Sequence, residues 1–186
     1  MDSCNVFLQG YHIEVGINSN GAYGSSIMAP PGYHPKGGTS MGNECYPTAC
    51  ANGGGLGFVA DPDKDGWTAG PPPYFGDYFL PGTPQEGWSI QANGVQANAW
   101  NGGGAGCGTT GYTFSNPGLT GKNIAYSNNI KTISSIWQGS MNGLGIKQET
   151  SLDSDNVFFT VTVTLTNTTA NTIKDIYYLR TVDPDN

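Results

Sequence analysis

The sequence predicts an all-β fold, an antiparallel β-sandwich with long Gly/Pro-rich loops, and three observations predict it. The segment 156–167 alternates, with Val157, Phe159, Val161, Val163 and Leu165 on one set of positions and Phe158, Thr160, Thr162, Thr164 and Thr166 on the other. Period two sends these sets to opposite faces of a strand, one for a core and one for water, as an antiparallel sheet permits. Asn-Gly recurs at 20–21, 52–53, 93–94, 101–102 and 142–143, and this dipeptide accepts the positive φ angles of tight hairpin turns. The 186 residues include 29 glycines and only 11% charged residues, so long amphipathic helices are hard to find and the chain must be built from strands, turns and uncharged polar faces. The length fits one domain over 1–186.

Further strands are expected at Val6–Leu8, Tyr11–Ile17, Gly57–Ala60, Tyr74–Leu80, Gly87–Ala92, Gly111–Ser115, Thr132–Gln138 and Leu144–Leu152, each a short β-compatible run bounded by turn residues. After 156–167, five residues lead into Ile173–Val182, where Ile176 and Tyr178 keep the pattern. These two runs predict a C-terminal β-hairpin over 156–182. Residues 29–84 hold most of the prolines, and so long a loop-rich region is functional, disordered or ordered by an ion.

The charge excludes one class of partner. Seven Lys plus Arg against a formal charge of −7 leave no basic patch able to neutralise a phosphate backbone, which argues against nucleic acid. No apolar run approaches the roughly 20 residues needed to cross a bilayer. The N-terminus lacks the charged and apolar regions of a signal peptide, and the chain closes on Asp183-Pro184-Asp185-Asn186 directly after a strand. The sequence therefore reads as a mature or excised piece of a larger protein.

Asp61-Pro62-Asp63-Lys64-Asp65-Gly66 carries the clearest chemistry. Hard cations want several oxygen ligands on a sharply turning backbone, and D-x-D-x-D-G supplies carboxylates at positions one, three and five with Gly at six. The back half of an EF-hand is missing, because position twelve is Pro72. Calcium here would need ligands from elsewhere, with Asp77 and Glu86 as the nearby candidates. Asp183 and Asp185 are a candidate second site. The alternative for each is an acidic, solvated turn or linker.

Four cysteines, Cys4, Cys45, Cys50 and Cys107, permit three disulfide pairings. The preferred set is Cys45–Cys50 around a small loop with Cys4–Cys107 as a long-range staple, which implies an oxidising, extracellular setting. A zinc site of Cys45, Cys50 and His34 is the alternative, with only one pair at zinc-ligand spacing.

Catalytic signals are weak. Gly38-Thr39-Ser40-Met41-Gly42 matches G-x-S-x-G, but that motif needs a strand before the serine and a helix after it, and both histidines, His12 and His34, precede Ser40. Glu14, Glu44, Glu86 and Glu149 could supply a glycosidase pair, without any spacing that singles one out. His12 and Glu14, two apart on a strand, would share a face and form either half a metal site or an ion pair. Trp67, Tyr74, Tyr78, Trp88 and Trp100 sit among Gly, Pro and Asn. Exposed rings beside amides suit the apolar faces and hydroxyls of sugars, whereas buried rings are core.

The stretch Asn156–Thr169, the run Ile176–Asn186, and the pieces Gly57–Trp67 and Gly76–Trp88 resemble β-sandwich modules of large secreted and cell-surface bacterial proteins of Bacteroidetes type. That resemblance covers about half of the chain and carries no catalytic residues. It implies adhesion, matrix assembly or a spacer role. The expectation is a non-catalytic, calcium-stabilised module that binds polysaccharide, a cell-surface glycan or another ligand. A secreted hydrolase or its accessory domain is one alternative. A subunit of a fibre or stalk, self-associating by strand addition, is the other.

Overall fold

The computed structural model describes residues 5–25, 27–34, 38–39, 43–44, 56–64, 66–67, 79, 85–101 and 118–183. Among them there is no helix, and twelve strands are present: β1 (Val6–Gln9), β2 (Ile13–Ile17), β3 (Gly38–Thr39), β4 (Asn43–Glu44), β5 (Phe58–Ala60), β6 (Gln85–Ala92), β7 (Val95–Trp100), β8 (Thr120–Asn128), β9 (Thr132–Met141), β10 (Leu144–Asp153), β11 (Phe159–Asn167) and β12 (Tyr177–Asp183). They form antiparallel sheets in the orders β11-β10-β9-β8, β12-β6-β7 and β1-β2-β5, with β3-β4 as a separate two-residue ladder.

The architecture is an antiparallel β-sandwich. One face of the four-stranded sheet carries the buried positions of β9 and β10, and the two three-stranded sheets pack on opposite ends of it. At one end Trp137, Met141, Leu144 and Ile146 meet Trp88, Ile90, Ala97 and Ala99. At the other, Ile133 and Leu152 meet Leu8, Ile13, Val15 and Tyr23, with Phe159 and Val161 against them. The threonines of β11 point away from this core and are exposed, as period two requires. The outer face of β1-β2-β5 is covered in turn by Ala29, Leu56, Tyr33 and Trp67 around Val59 and Phe7. Gly16 admits that layer: a Cβ there would lie 2.0 Å from the Leu56 carbonyl oxygen.

Two of the expected hairpins form at Asn-Gly. Asn93-Gly94 joins β6 to β7 with φ of 53° and 77°, and Asn142-Gly143 joins β9 to β10 with 49° and 83°, both in the doubly positive geometry of a type I′ turn. The C-terminal hairpin expected over 156–182 does not form. β11 pairs with β10, from Leu144↔Asn167 to Leu152↔Phe159, and β12 pairs with β6, from Tyr177↔Gln91 to Asp183↔Gln85. The linker between β11 and β12 crosses from one layer to the other. It is pinned at its start by Thr168 N–H on Gly143 O (2.9 Å) and at its end by the mutual bonds of Asn93 and Lys174. β7 and β8 were not expected. β7 buries only alanines between amides, and in β8 only Asn123 is buried beside an irregular register at Asn123/Ala125, so neither shows an apolar period. The strands expected at Tyr74–Leu80 and Gly111–Ser115 lie, but for Phe79, outside the described residues, as do most of the Gly/Pro-rich loops.

A buried polar network ties three layers together at Arg180. Its Nε donates to Glu86 Oε1 (2.6 Å), its Nη1 to Gln148 Oε1 (2.8 Å) and its Nη2 to Gly21 O (3.1 Å), while its guanidinium carbon sits 3.9 Å from the centre of the Tyr23 ring. Tyr23 returns its backbone N–H to Glu86 Oε2 (2.5 Å) and shares a hydroxyl bond with Thr150 (2.9 Å). Burial pushes the Tyr23 phenol up to about 12, against the opposing pull of the Arg180 charge and the Thr150 bond. Burial likewise raises Tyr178 and Tyr33. Folded values above the ordinary phenol value of 10.0 mean that this contribution to stability is complete below about pH 10 and is lost as pH rises toward 12. The urea midpoint is expected to fall across that window, and less steeply in Tyr23→Phe; a flat midpoint from pH 10 to 12 would contradict it.

Candidate functional site

A surface groove of about 420 Å³ lies where the β1–β2 turn meets the β8–β9 turn, lined by Gln9, Tyr11, Trp67, Asn128, Asn129 and Ile130 among others. The sequence builds its walls from tight local bonds. Tyr11 sits in the β1–β2 turn, closed by Gly10 N–H on Ile13 O (2.8 Å), and its own N–H is held by Ser154 O (2.6 Å). Across the groove the Asn129 side chain folds back to accept from Lys131 N (3.0 Å) and Thr132 N (2.8 Å), an Asx arrangement that fixes a short turn. Ser154 clamps the same turn through Ile130 O and Lys131 O. These turns project Tyr11 at 65% exposure and Ile130 at 91%.

Trp67 forms a further wall, half-buried, with its indole N–H on Tyr11 O (3.2 Å). Its back is held by a stacked ring: His34 lies parallel to it, centroids 4.4 Å apart and planes within 5°. His34 is itself fixed by Glu14, a fully buried carboxylate on β2. Glu14 Oε1 accepts from His34 Nδ1 (2.8 Å) and Gln9 Nε2 (2.8 Å), and Oε2 accepts the His34 backbone N–H (2.7 Å). Gln9 reaches on to Gly32 O (2.7 Å). One aromatic wall of the groove thus rests on a chain of charge-assisted hydrogen bonds that holds its orientation.

The acidic turn lies close by in the chain. Asp61 is buried, its Oδ2 accepts Gly66 N–H (3.0 Å) and lies 3.6 Å from His12 Nδ1. Lys64 takes φ +56°, Gly66 +98°, and Lys64 Nζ donates to Asp155 O (2.7 Å). Asp63 is exposed; Asp65 and Asp77 lie outside the described residues. Glu86 sits elsewhere, its two oxygens taken by Arg180 and Tyr23. Among the described residues no three acidic, histidine or cysteine side chains gather as a ready metal cage. Asp183 ends β12, and Asp185 lies outside the described residues, as do Cys4, Cys45, Cys50 and Cys107.

Of the aromatic residues singled out in the sequence, Trp67 alone among those described lines the groove. Trp88 is core, edge-on to Trp137 at 5.2 Å and stacked on Tyr178 at 5.9 Å. Trp100 is on the outward face of β7 with Gln96 and Asn98. Tyr74 and Tyr78 lie outside the described residues. His12 and Glu14 do not join: His12 precedes β2 and lies between Asp61 and Asp155, whereas Glu14 holds His34. Glu149 pairs with Lys147 (2.8 Å) on the outer side of β10. Around Ser40, itself outside the described residues, Gly38–Thr39 pairs with Asn43–Glu44 as a short ladder in place of the strand–turn–helix that G-x-S-x-G requires. Tyr11, Asn128, Asn129 and Ile130 were not anticipated; an isoleucine inside the polar run Ser127-Asn-Asn-Ile-Lys is the one local signal that marks them.

The chain matches no protein-family model, no curated protein and no solved structure, so the functional reading rests on this geometry.

Proposed function

We propose that this chain is a non-catalytic, extracellular β-sandwich module of a larger surface protein that binds neutral glycan through the groove of Tyr11, Trp67 and Ile130. The observation that carries the reading is the juxtaposition of rings and amides. Two aromatic side chains and an exposed aliphatic one stand beside Gln9, Asn128 and Asn129, and among the described residues that line the groove none is charged. Apolar faces of pyranose rings stack on such walls while hydroxyls meet the amides. The bond chain behind Trp67 supports it further, because a preorganised ring loses little freedom on binding. Adhesion to a polysaccharide or cell-surface glycan is the role that fits.

Titration against a panel of neutral polysaccharides, with reducing ends assayed in parallel, tests this. Trp67→Ala and Tyr11→Ala are each expected to weaken binding about five- to tenfold, the loss of one stacked ring being worth roughly 1–1.5 kcal/mol. Thr162→Ala on the far face leaves binding unchanged. Absence of binding across the panel would refute the glycan reading, and release of sugar by the chain alone would replace it with the hydrolase reading.

Calcium belongs to the same proposal. The bond from Gly66 N–H to the first carboxylate already closes the Asp61 turn, leaving the exposed Asp63 carboxylate to meet an ion with Asp61. An ion that binds only the folded state stabilises it by RT ln(1 + [L]/Kd), roughly 2.7 kcal/mol at a hundredfold excess. Asp63→Ala and Asp65→Ala are therefore expected to lower the melting temperature in calcium and to have little effect in chelator. Equal melting temperatures of the wild type in the two conditions would reject the site.

A further inference from the structure

We infer that β12 is a self-association edge: two copies of the chain pair antiparallel through it, centred on Leu179, and join their β12-β6-β7 sheets into one six-stranded sheet. The inference is independent of the glycan groove. Among the described residues β12 pairs with β6 alone. An open edge presents unpaired N–H and C=O groups, which proteins usually blunt with charge, bulges, polar faces or short strands. The other edges of the large sheets have such devices. β8 has an irregular register at Asn123/Ala125 and carries Lys122; β11 presents a column of threonines; β7 presents Gln96 and Asn98; β1 and β5 are only four and three residues long. Within 177–182 β12 has no exposed charge, no bulge and no proline. Its one charge, Arg180, points inward, a device that also guards edges, but here Glu86 neutralises it at 2.6 Å, so pairing through this edge buries no uncompensated charge.

β12 also concentrates exposed apolar surface. Tyr177 and Leu179 are 64% and 60% exposed, and Ile176 and Val182 are exposed at the rim. A second copy fits because the strand complements itself. With a two-fold axis at Leu179, Leu179 of one copy faces Leu179 of the other, Tyr177 faces Thr181, and Ile176 faces Val182 twice, so every exposed apolar side chain of the strand gains a cross-strand neighbour. Asp175, at φ +51°, turns the chain out of the ladder before it could oppose Asp183 of the other copy. A seven-residue strand covers less than the roughly 800 Å² per partner of a standard interface, so the dimer is weak.

Sedimentation velocity of the full chain from about 10 µM to 1 mM reads it. The expected result is a reversible monomer–dimer equilibrium that strengthens with added salt, because both copies carry −7 and screening removes that repulsion. Leu179→Lys places two like charges on the axis and is expected to raise the dissociation constant about tenfold or more, with an unchanged circular dichroism spectrum because the side chain is exposed. Thr162→Lys on β11 should leave it alone. A strict monomer at the highest concentration would overturn the inference and leave the edge to a strand from another chain. A dimer indifferent to Leu179→Lys, or one broken by Thr162→Lys, would overturn it as well.

Discussion

Glu86→Ala is expected to destabilise the fold by about 3–5 kcal/mol, the cost of leaving one partner of a buried ion pair without the other. Arg180 has its Nε on Glu86 and cannot turn to solvent without abandoning Gln148 and the Gly21 carbonyl. Burial raises the Glu86 carboxyl against the Arg180 charge and bonds, whereas Arg180, despite its own burial, is raised by the Glu86 charge. Each ion holds the other charged, and because taking both out of water offsets much of their attraction, the intact pair adds little net stability. Breaking it is what costs. The double variant Glu86→Leu/Arg180→Met removes both charges and is expected to recover part of the loss. Recovery stays incomplete because Tyr23 N–H, Gln148 Oε1 and Gly21 O then lose their partners, each at about 1–3 kcal/mol where no water reaches. Urea unfolding of the three proteins measures this. Against a total stability of about 5–15 kcal/mol, Glu86→Ala should shift the midpoint strongly; a change below about 1 kcal/mol would show that the network is not the anchor of the three layers.

That network also explains where the sequence misleads. Residues 156–167 and 173–182 each look like strands, and a strand forms in each, over Phe159–Asn167 and from Tyr177 onward, because period two is a local property and β11 shows it without interruption. Their pairing is not local. Arg180 sits on the inward side of β12 opposite Trp88, beside Glu86, which is 94 residues away in the chain, and no alternation of apolar and polar residues encodes that partner. The Asn-Gly hairpins at 93–94 and 142–143 were legible because turn chemistry is carried by two adjacent residues. Strand β7 was not, because alanine fills its buried positions and alanine carries little β signal.

The candidate groove was legible only through Trp67. Tryptophans at 67, 88, 100 and 137 look alike in sequence, and burial separates them: Trp88 and Trp137 form the core, Trp100 lies on an outer sheet face, and Trp67 lines the groove. The groove takes one wall from the β1–β2 turn, one from the β8–β9 turn and one from the segment after β5, and only tertiary packing brings these together. His34 and Glu14, 20 residues apart, gave no joint signal either. Their link is visible once the outer face of β2 is seen to be covered by the segment that carries His34.

Trp137→Ala is expected to cost about 3–5 kcal/mol, as removal of a large buried ring leaves a cavity that the surroundings fill only in part. The site is built around that ring. A Cβ on Gly21, Gly121 or Gly139 would lie 2.8, 2.1 or 2.3 Å from its atoms, so three glycines leave the space the indole occupies, two of them a cross-strand pair of β8 and β9. Trp88 packs edge-on against it at 5.2 Å, and the Trp137 indole N–H donates to Ser19 O (2.8 Å). No small neighbour can grow into the gap without backbone movement, so relaxation is limited and the loss should sit in the upper half of that range. The converse variant tests the same packing from the other side. Gly139→Ala would also bring its Cβ to 2.3 Å from Thr120 O, and overpacking against backbone costs about 1–3 kcal/mol. Denaturant unfolding gives both values, and loss of near-ultraviolet circular dichroism reports the Trp88–Trp137 pair directly. A Trp137→Ala protein within about 1 kcal/mol of wild type would mean that the two layers meet without this contact.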